Sequence, residues 1–297
     1  MDSRQVSVIK TLSYSDVFDY PLSFSEIYYF LESSKPLSPS DLKRTLAYMS
    51  ARRKGILENA SGYYAFSGKK ELITKRIQGD DIAQTKVVLG KKIARILMTI
   101  PSVLFIGISG GVAGGGATGD DDIDLFVITR SGTLYITRFL LLLVLEFVGK
   151  RRKRGQINAK DSICLNMLID ESSLLFKSPR QDLYIAREIA QIIPLFDRND
   201  TYAAFLRANS WTRNLLPYAG GKPGLVSLSY HNVLNLGLVL LEPLSRIVQV
   251  WKMSKHSEGE IIEPTVLAFH PNDQKKWILK EYEKRVRHYI KCYTQLD

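Results

Sequence analysis

Apolar residues recur at helical spacing through the first quarter of the chain. Ser23-Phe24-Ser25-Glu26 is a capping box ahead of a helix carrying Ile27, Phe30 and Leu31. Ser38-Pro39-Ser40-Asp41 starts another, with proline at the first helical position and an acid in the first turn. Leu42, Leu46 and Met49 repeat along it, and Gly55 closes it after Arg52-Arg53-Lys54. From Ile56 to Phe66 two short apolar runs flank a turn rich in Asn, Ser and Gly, which predicts a hairpin.

Further along, Gln84 to Thr99 reads as a helix with Val87, Val88, Ile93, Ile96 and Leu97 on its apolar side. Val103 to Ile108 is a continuous apolar run of strand length, and Ile123 to Thr129 and Ser162 to Ile169 are two more. Asp182 to Ile193 is helical again. The longest greasy runs, Leu134 to Val148 and Val233 to Val250, are interrupted by Arg138 and Glu146 in one and by Glu242, Pro243 and Arg246 in the other, so both read as buried helices, with peripheral membrane contact beside the basic cluster Lys150-Arg151-Arg152-Lys153-Arg154 as the alternative. A basic helix from Asn272 to Tyr293 has Trp277, Tyr282, Val286 and Tyr289 as its expected buried side. The pattern predicts an α+β protein in three parts: a helix-and-hairpin module over 1–78, a core over 79–195 and a helical C-terminal region over 196–297.

Composition narrows the partners. A formal net charge of +11 favours an anionic one, whether nucleotide, nucleic acid or membrane surface. Cys164 and Cys292 lie far apart without metal-ligand spacing and read as reduced thiols. No secretory signal is visible at the N-terminus, so a cytoplasmic protein without integral membrane association is expected. His256 and His270 have no partner at metal-binding spacing.

The chemistry concentrates between Ser109 and Thr129. Six glycines follow the strand that ends at Ile108, and bare backbone there lets N–H groups approach an anion. Asp122 and Asp124 stand two apart at the start of the next strand, so both carboxylates project from one face and call for a cation between them. Mg²⁺ is commonly held by one or two carboxylates plus substrate phosphates. The loop lacks the Gly-Lys-Ser/Thr ending of a P-loop, the glycine spacing of a dinucleotide fingerprint and the Gly and Glu of an EF-hand. In haloacid-dehalogenase-type phosphatases the Asp-x-Asp follows its strand, whereas here the strand follows the pair.

An apolar strand, a Gly-Gly pair, a loop and Asp-x-Asp leading another strand resemble the core of the nucleotidyltransferase domain of the DNA polymerase beta superfamily. The resemblance implies a small mixed sheet with flanking helices and a two-metal Mg²⁺ site at Asp122 and Asp124. It also implies transfer of a nucleoside monophosphate from an NTP to a hydroxyl-type acceptor, with release of pyrophosphate. Gly110 and Gly111 would contact the triphosphate, although Gly111 stands where the family has serine. The family's third carboxylate falls on a later strand, where this chain has Asn166; asparagine can offer a carbonyl oxygen but cannot act as a base. Asp161, Asp170 and Glu171 flank that strand as substitutes. The N-terminal module resembles a winged helix, which makes Lys43, Arg44, Arg52, Arg53 and Lys54 candidate nucleic-acid contacts. The chain is also similar to a group of uncharacterised prokaryotic nucleotidyltransferase-domain proteins that join these parts. The alternative expectation is a nucleic-acid-binding regulator whose transferase core binds nucleotide or only scaffolds.

Overall fold

A computed structural model describes residues 1–51, 55–153, 155–156, 159–222, 227–228, 235–254, 260–269 and 272–295. Arg52, Arg53, Lys54, His256 and His270 lie outside the described residues.

The N-terminal part runs α1 (Ser3–Asp16), β1 (Leu22–Ser23), α2 (Phe24–Tyr29), α3 (Pro39–Ala51), β2 (Leu57–Ala60) and β3 (Tyr63–Phe66). Both expected helix starts are present. The Glu26 N–H donates to Ser23 Oγ (3.3 Å), the Ser23 N–H returns to Glu26 Oε2 (2.8 Å), and the Asp41 N–H donates to Ser38 Oγ (3.1 Å). The hairpin turns through Ser61 (φ 51°) and Gly62 (φ 82°), two left-handed residues whose twist suits a two-residue connection. β1, β3 and β2 form an antiparallel sheet in that order over a core of Ile9, Leu12, Leu31, Leu46 and Phe66.

α4 (Lys70–Leu97) follows and begins well before Gln84. Only Ile73, Arg76 and Ala83 are buried in its first half, too sparse a stripe to show a period across Gly79-Asp80-Asp81. At Gly90 a Cβ would sit 2.8 Å from Ile108 Cδ1, so glycine lets this helix lie close on the next strand.

The remaining elements are β4 (Val103–Ile108), α5 (Gly110–Gly114), β5 (Ile123–Thr129), α6 (Leu134–Phe147), β6 (Ile163–Asp170), α7 (Leu183–Gln191), β7 (Ile193–Arg198), α8 (Thr201–Ala208), β8 (Ser227–Leu228), α9 (Asn235–Ser254), β9 (Ile261–Ile262), β10 (Val266–Ala268) and α10 (Asn272–Thr294). They build a mixed sheet of order β8-β7-β4-β5-β6-β10-β9. β4 is antiparallel to both β5 and β7, whereas β5 and β6 are parallel and joined by α6. The molecule is therefore α+β.

Several expectations need correction. The 195/196 boundary falls inside β7, and the C-terminal region is not wholly helical, because β8, β9 and β10 join the main sheet. Strands of two or three residues are too short to show a period of two. α10 does not cap a separate unit: Tyr293 is buried in the N-terminal core, Tyr289 stacks on Phe66, and Arg285 Nε donates to Asp16 Oδ2 (2.9 Å). On this helix Ile278 is buried and Trp277 exposed, the reverse of the expected emphasis. The two greasy helices, α6 and α9, are only partly buried, and each exposes large apolar side chains. Their apolar stripes are wider than the core face they meet.

Candidate active site

The carboxylates and the glycine loop meet where β4 ends and β5 begins. The Ser109 N–H donates to Asp124 O (2.9 Å), so the two strands stay paired up to the first loop residue. Gly110 then takes φ +62°, and a Cβ there would lie 2.3 Å from Asp124 Oδ2. Only glycine allows that carboxylate to rest against the loop. Gly111 meets nothing within 4 Å and leaves room for a side chain. Gly115, at φ +82°, lies beneath the Tyr20 hydroxyl, where a Cβ would come within 1.8 Å of the oxygen. The loop is thus held between Asp124 and a tyrosine from the N-terminal module.

Lys86 of α4 fixes the other end of the loop. Its buried ammonium donates to the carbonyls of Gly119 (3.2 Å) and Asp121 (2.7 Å) and to Asp161 Oδ1 (3.2 Å). The chain after α6 runs along the start of β6, with Ile163 N–H donating to Lys150 O (2.6 Å) and Arg152 N–H to Ile163 O (3.0 Å). That path brings Arg152 Nη1 to Asp122 Oδ2 at 2.5 Å.

Parallel pairing sets Asp124 opposite Cys164. Among the described residues, Asp122, Asp124 and Cys164 form a group whose ligand atoms all lie within 4.8 Å of one another. Burial, and then the neighbouring Asp122 charge, push the Asp124 carboxyl up to about 7. Burial and the two aspartates push the Cys164 thiol up, so it stays protonated and donates to Asp124. The hard donors of this group are therefore the two carboxylates, a set that suits a hard divalent cation.

A third carboxylate comes from α7. Glu188 shares a cleft of about 340 Å³ with Gly110, Gly111, Asp124, Tyr20 and Tyr184. Burial first, and then the Asp124 charge, raise its carboxyl to about 7. Its neighbour Arg187 anchors the helix: the buried guanidinium donates to Thr11 O (3.1 Å) and lies between the rings of Tyr14 and Phe30, 4.5 Å from each centroid. A smaller apolar cavity of about 110 Å³ adjoins Glu188, with Phe126, Phe176 and Phe205 in its wall and Asn166 and Lys275 among its polar groups.

Asn166 stands on β6, two residues past Cys164. It is buried, donates from Nδ2 to Ser109 Oγ (3.3 Å) and faces the apolar cavity, while Cys164 is the β6 residue beside Asp124. Asp161 is bound to Lys86. Asp170 and Glu171 lie at the far end of β6, about 20 Å along the strand at its usual rise, and accept from Gly132 N–H (2.7 Å) and Ser131 N–H (3.0 Å). Sequence reasoning missed Glu188, Lys86, Arg152 and Tyr20. Of these, only Arg152 carried a visible signal, as part of the basic run after α6.

Comparison of the chain with protein-family models, with curated proteins and with solved structures gave no match.

Proposed function

We propose that this chain is a Mg²⁺-dependent nucleotidyltransferase of the polymerase beta type, moving a nucleoside monophosphate from an NTP to a hydroxyl-type acceptor. The observation that carries the reading is the convergence of Asp124 and the Gly110-Gly111 turn on one cleft, with a ligand oxygen of Asp122 within 4.8 Å of one on Asp124. The succession of β4, β5 and β6, the first antiparallel and the last two parallel, supports the same reading.

Asp122 and Asp124 would hold the metal, which when bound neutralises triphosphate charge and polarises the phosphorus under attack. Arg152 adds fixed positive charge at Asp122. Gly110 and Gly111, at the start of α5, line the cleft that would receive the phosphates, and their N–H groups have no partner four residues earlier in the helix. Glu188, poised near neutrality, is suited to take the acceptor's proton. The acceptor oxygen then bonds to the alpha phosphorus, the bond from that phosphorus to the bridging oxygen breaks, and pyrophosphate leaves. The apolar cavity beside Glu188 supplies a seat for an acceptor with an apolar body.

Calorimetry with NTP and Mg²⁺ tests this site. Binding should require the metal and fall sharply in the Asp122→Asn/Asp124→Asn protein. Undiminished binding in that double variant would overturn it.

A second reading, nucleic-acid binding by a winged-helix-like N-terminal module, is supported by the order α1-β1-α2-α3-β2-β3 and by Lys43, Arg44 and Tyr48 on the exposed face of α3. Duplex binding should then weaken steeply with salt, and neutralising Lys43 with Arg52, Arg53 and Lys54 should flatten that slope. Absence of duplex binding at low salt would end this reading.

A further inference from the structure

α6 and α9 pack on each other but leave their outer sides bare. Phe139, Leu143 and Phe147 recur every four residues on α6, with Phe147 83% exposed. On α9, Leu240 (76%), Leu244 (63%), Ile247 (68%) and Trp251 (60%) form a second stripe at helical spacing. Side chains of this size are seldom left in water as a contiguous set unless the face meets something. Among the described residues no helix is long and apolar enough to cross a membrane, so these helices are not spans.

Charge distinguishes the occupants. The segments 134–153 and 235–254 hold seven Lys or Arg against two Glu. Both acids are engaged within the protein: Glu242 accepts from the N–H groups of Tyr135 (2.9 Å) and Ile136 (2.8 Å), and Glu146 pairs with Arg151 (3.2 Å) and Lys153 (3.3 Å). Arg246 and Lys252 are exposed on α9 among the apolar residues, and the basic run Lys150 to Lys153 closes the end of α6. A second copy would bring the same positive charge against this face. An anionic lipid surface meets the apolar and the basic groups together.

We propose that the α6–α9 face seats the protein on an anionic membrane surface, with α9 lying in the plane of the headgroups. Helices with one greasy and one basic side bind in this manner, through buried apolar area and attraction to anionic lipid. Twenty residues make α9 about 30 Å long, a substantial contact line. Trp251, near its C-terminal end, adds an exposed aromatic ring of the kind enriched at membrane interfaces. The proposal stands independently of the chemistry at Asp122 and Asp124.

Flotation of the full-length protein with vesicles of phosphatidylcholine, alone or mixed with phosphatidylglycerol, tests it. Wild type should float with the mixed vesicles, bind far less to the neutral ones and be released by salt. Lys150→Gln/Lys153→Gln/Lys252→Gln should lower partitioning onto the mixed vesicles on the order of a hundredfold, each basic residue being worth about a factor of five. Leu240→Ser/Leu244→Ser/Ile247→Ser, at exposed positions, should abolish binding while leaving the unfolding transition in place. Failure of wild type to float with anionic vesicles overturns the proposal. So does a wild-type dimer in sedimentation equilibrium that the triple serine variant converts to monomer, because the face would then belong to a second copy.

Discussion

The Asp124 carboxylate rests against Gly110 so closely that a Cβ on Gly110 would fall 2.3 Å from its Oδ2. The glycine and the Asp124 carboxylate are one steric unit, while Gly111, the next residue, is unconstrained.

Gly110→Ala should therefore displace Asp124 and also force alanine into a left-handed conformation, at a cost of about 1–2 kcal/mol. We expect loss of Mg²⁺-dependent NTP binding. Gly111→Ser fits the open space and supplies a hydroxyl of the kind the polymerase beta family carries after its glycine. A new hydrogen bond of about 1 kcal/mol would tighten NTP binding roughly fivefold. Calorimetry on both variants separates the two positions, and equal effects would contradict the steric argument.

Glu188→Gln should slow nucleotide transfer about 10²–10⁴-fold, the usual value of general-base assistance, with little change in NTP affinity. Asn166→Asp should not raise turnover, because Asn166 donates to Ser109 and lines the apolar cavity, and the β5–β6 pairing sets Cys164 opposite Asp124. Single-turnover rates measured through pyrophosphate release distinguish these outcomes. A fast Glu188→Gln enzyme would return the base to another residue.

Asp124 and Glu188 both titrate near 7, against about 4 in an unfolded chain. Between those values the native state holds more protons than the unfolded one. Their contribution to stability is therefore present at low pH and is lost as pH rises through about 4 to 7. Mg²⁺ held by Asp122 and Asp124 would favour the ionised Asp124 and should restore stability at pH 8 while doing little at pH 5. Thermal midpoints of wild type and Asp124→Asn at both pH values, with and without Mg²⁺, test the sign. The wild-type minus variant difference should fall with pH in the absence of metal.

Lys86→Met removes a buried ammonium from two carbonyls and Asp161. Leaving those groups unpaired should cost about 3 kcal/mol, read from denaturant midpoints. The acidic loop should loosen as well, so NTP binding should weaken although Lys86 does not line the cleft.

The aspartate pair, the caps at Ser23 and Ser38 and the turn at Ser61-Gly62 are legible in the sequence because their signals are local. A carboxylate spacing of two on a strand, or a serine three residues before an acid, has the same meaning wherever it occurs. Glu188, Lys86 and Tyr20 reach the site only through tertiary packing. Glu188 sits on an amphipathic helix whose orientation is set by Arg187 gripping α1, a contact across 176 positions of sequence. The greasy runs of α6 and α9 mislead for a related reason. Apolar spacing reports that a face avoids water, not what covers it.

Tyr289 and Tyr293 complete a core that α1, α2 and α3 begin. During synthesis those first helices leave the ribosome long before the residues that close them exist. Leu12, Phe66 and their neighbours stay incompletely covered until α10 emerges. A nascent protein halted before α10 would therefore present that greasy surface to chaperones.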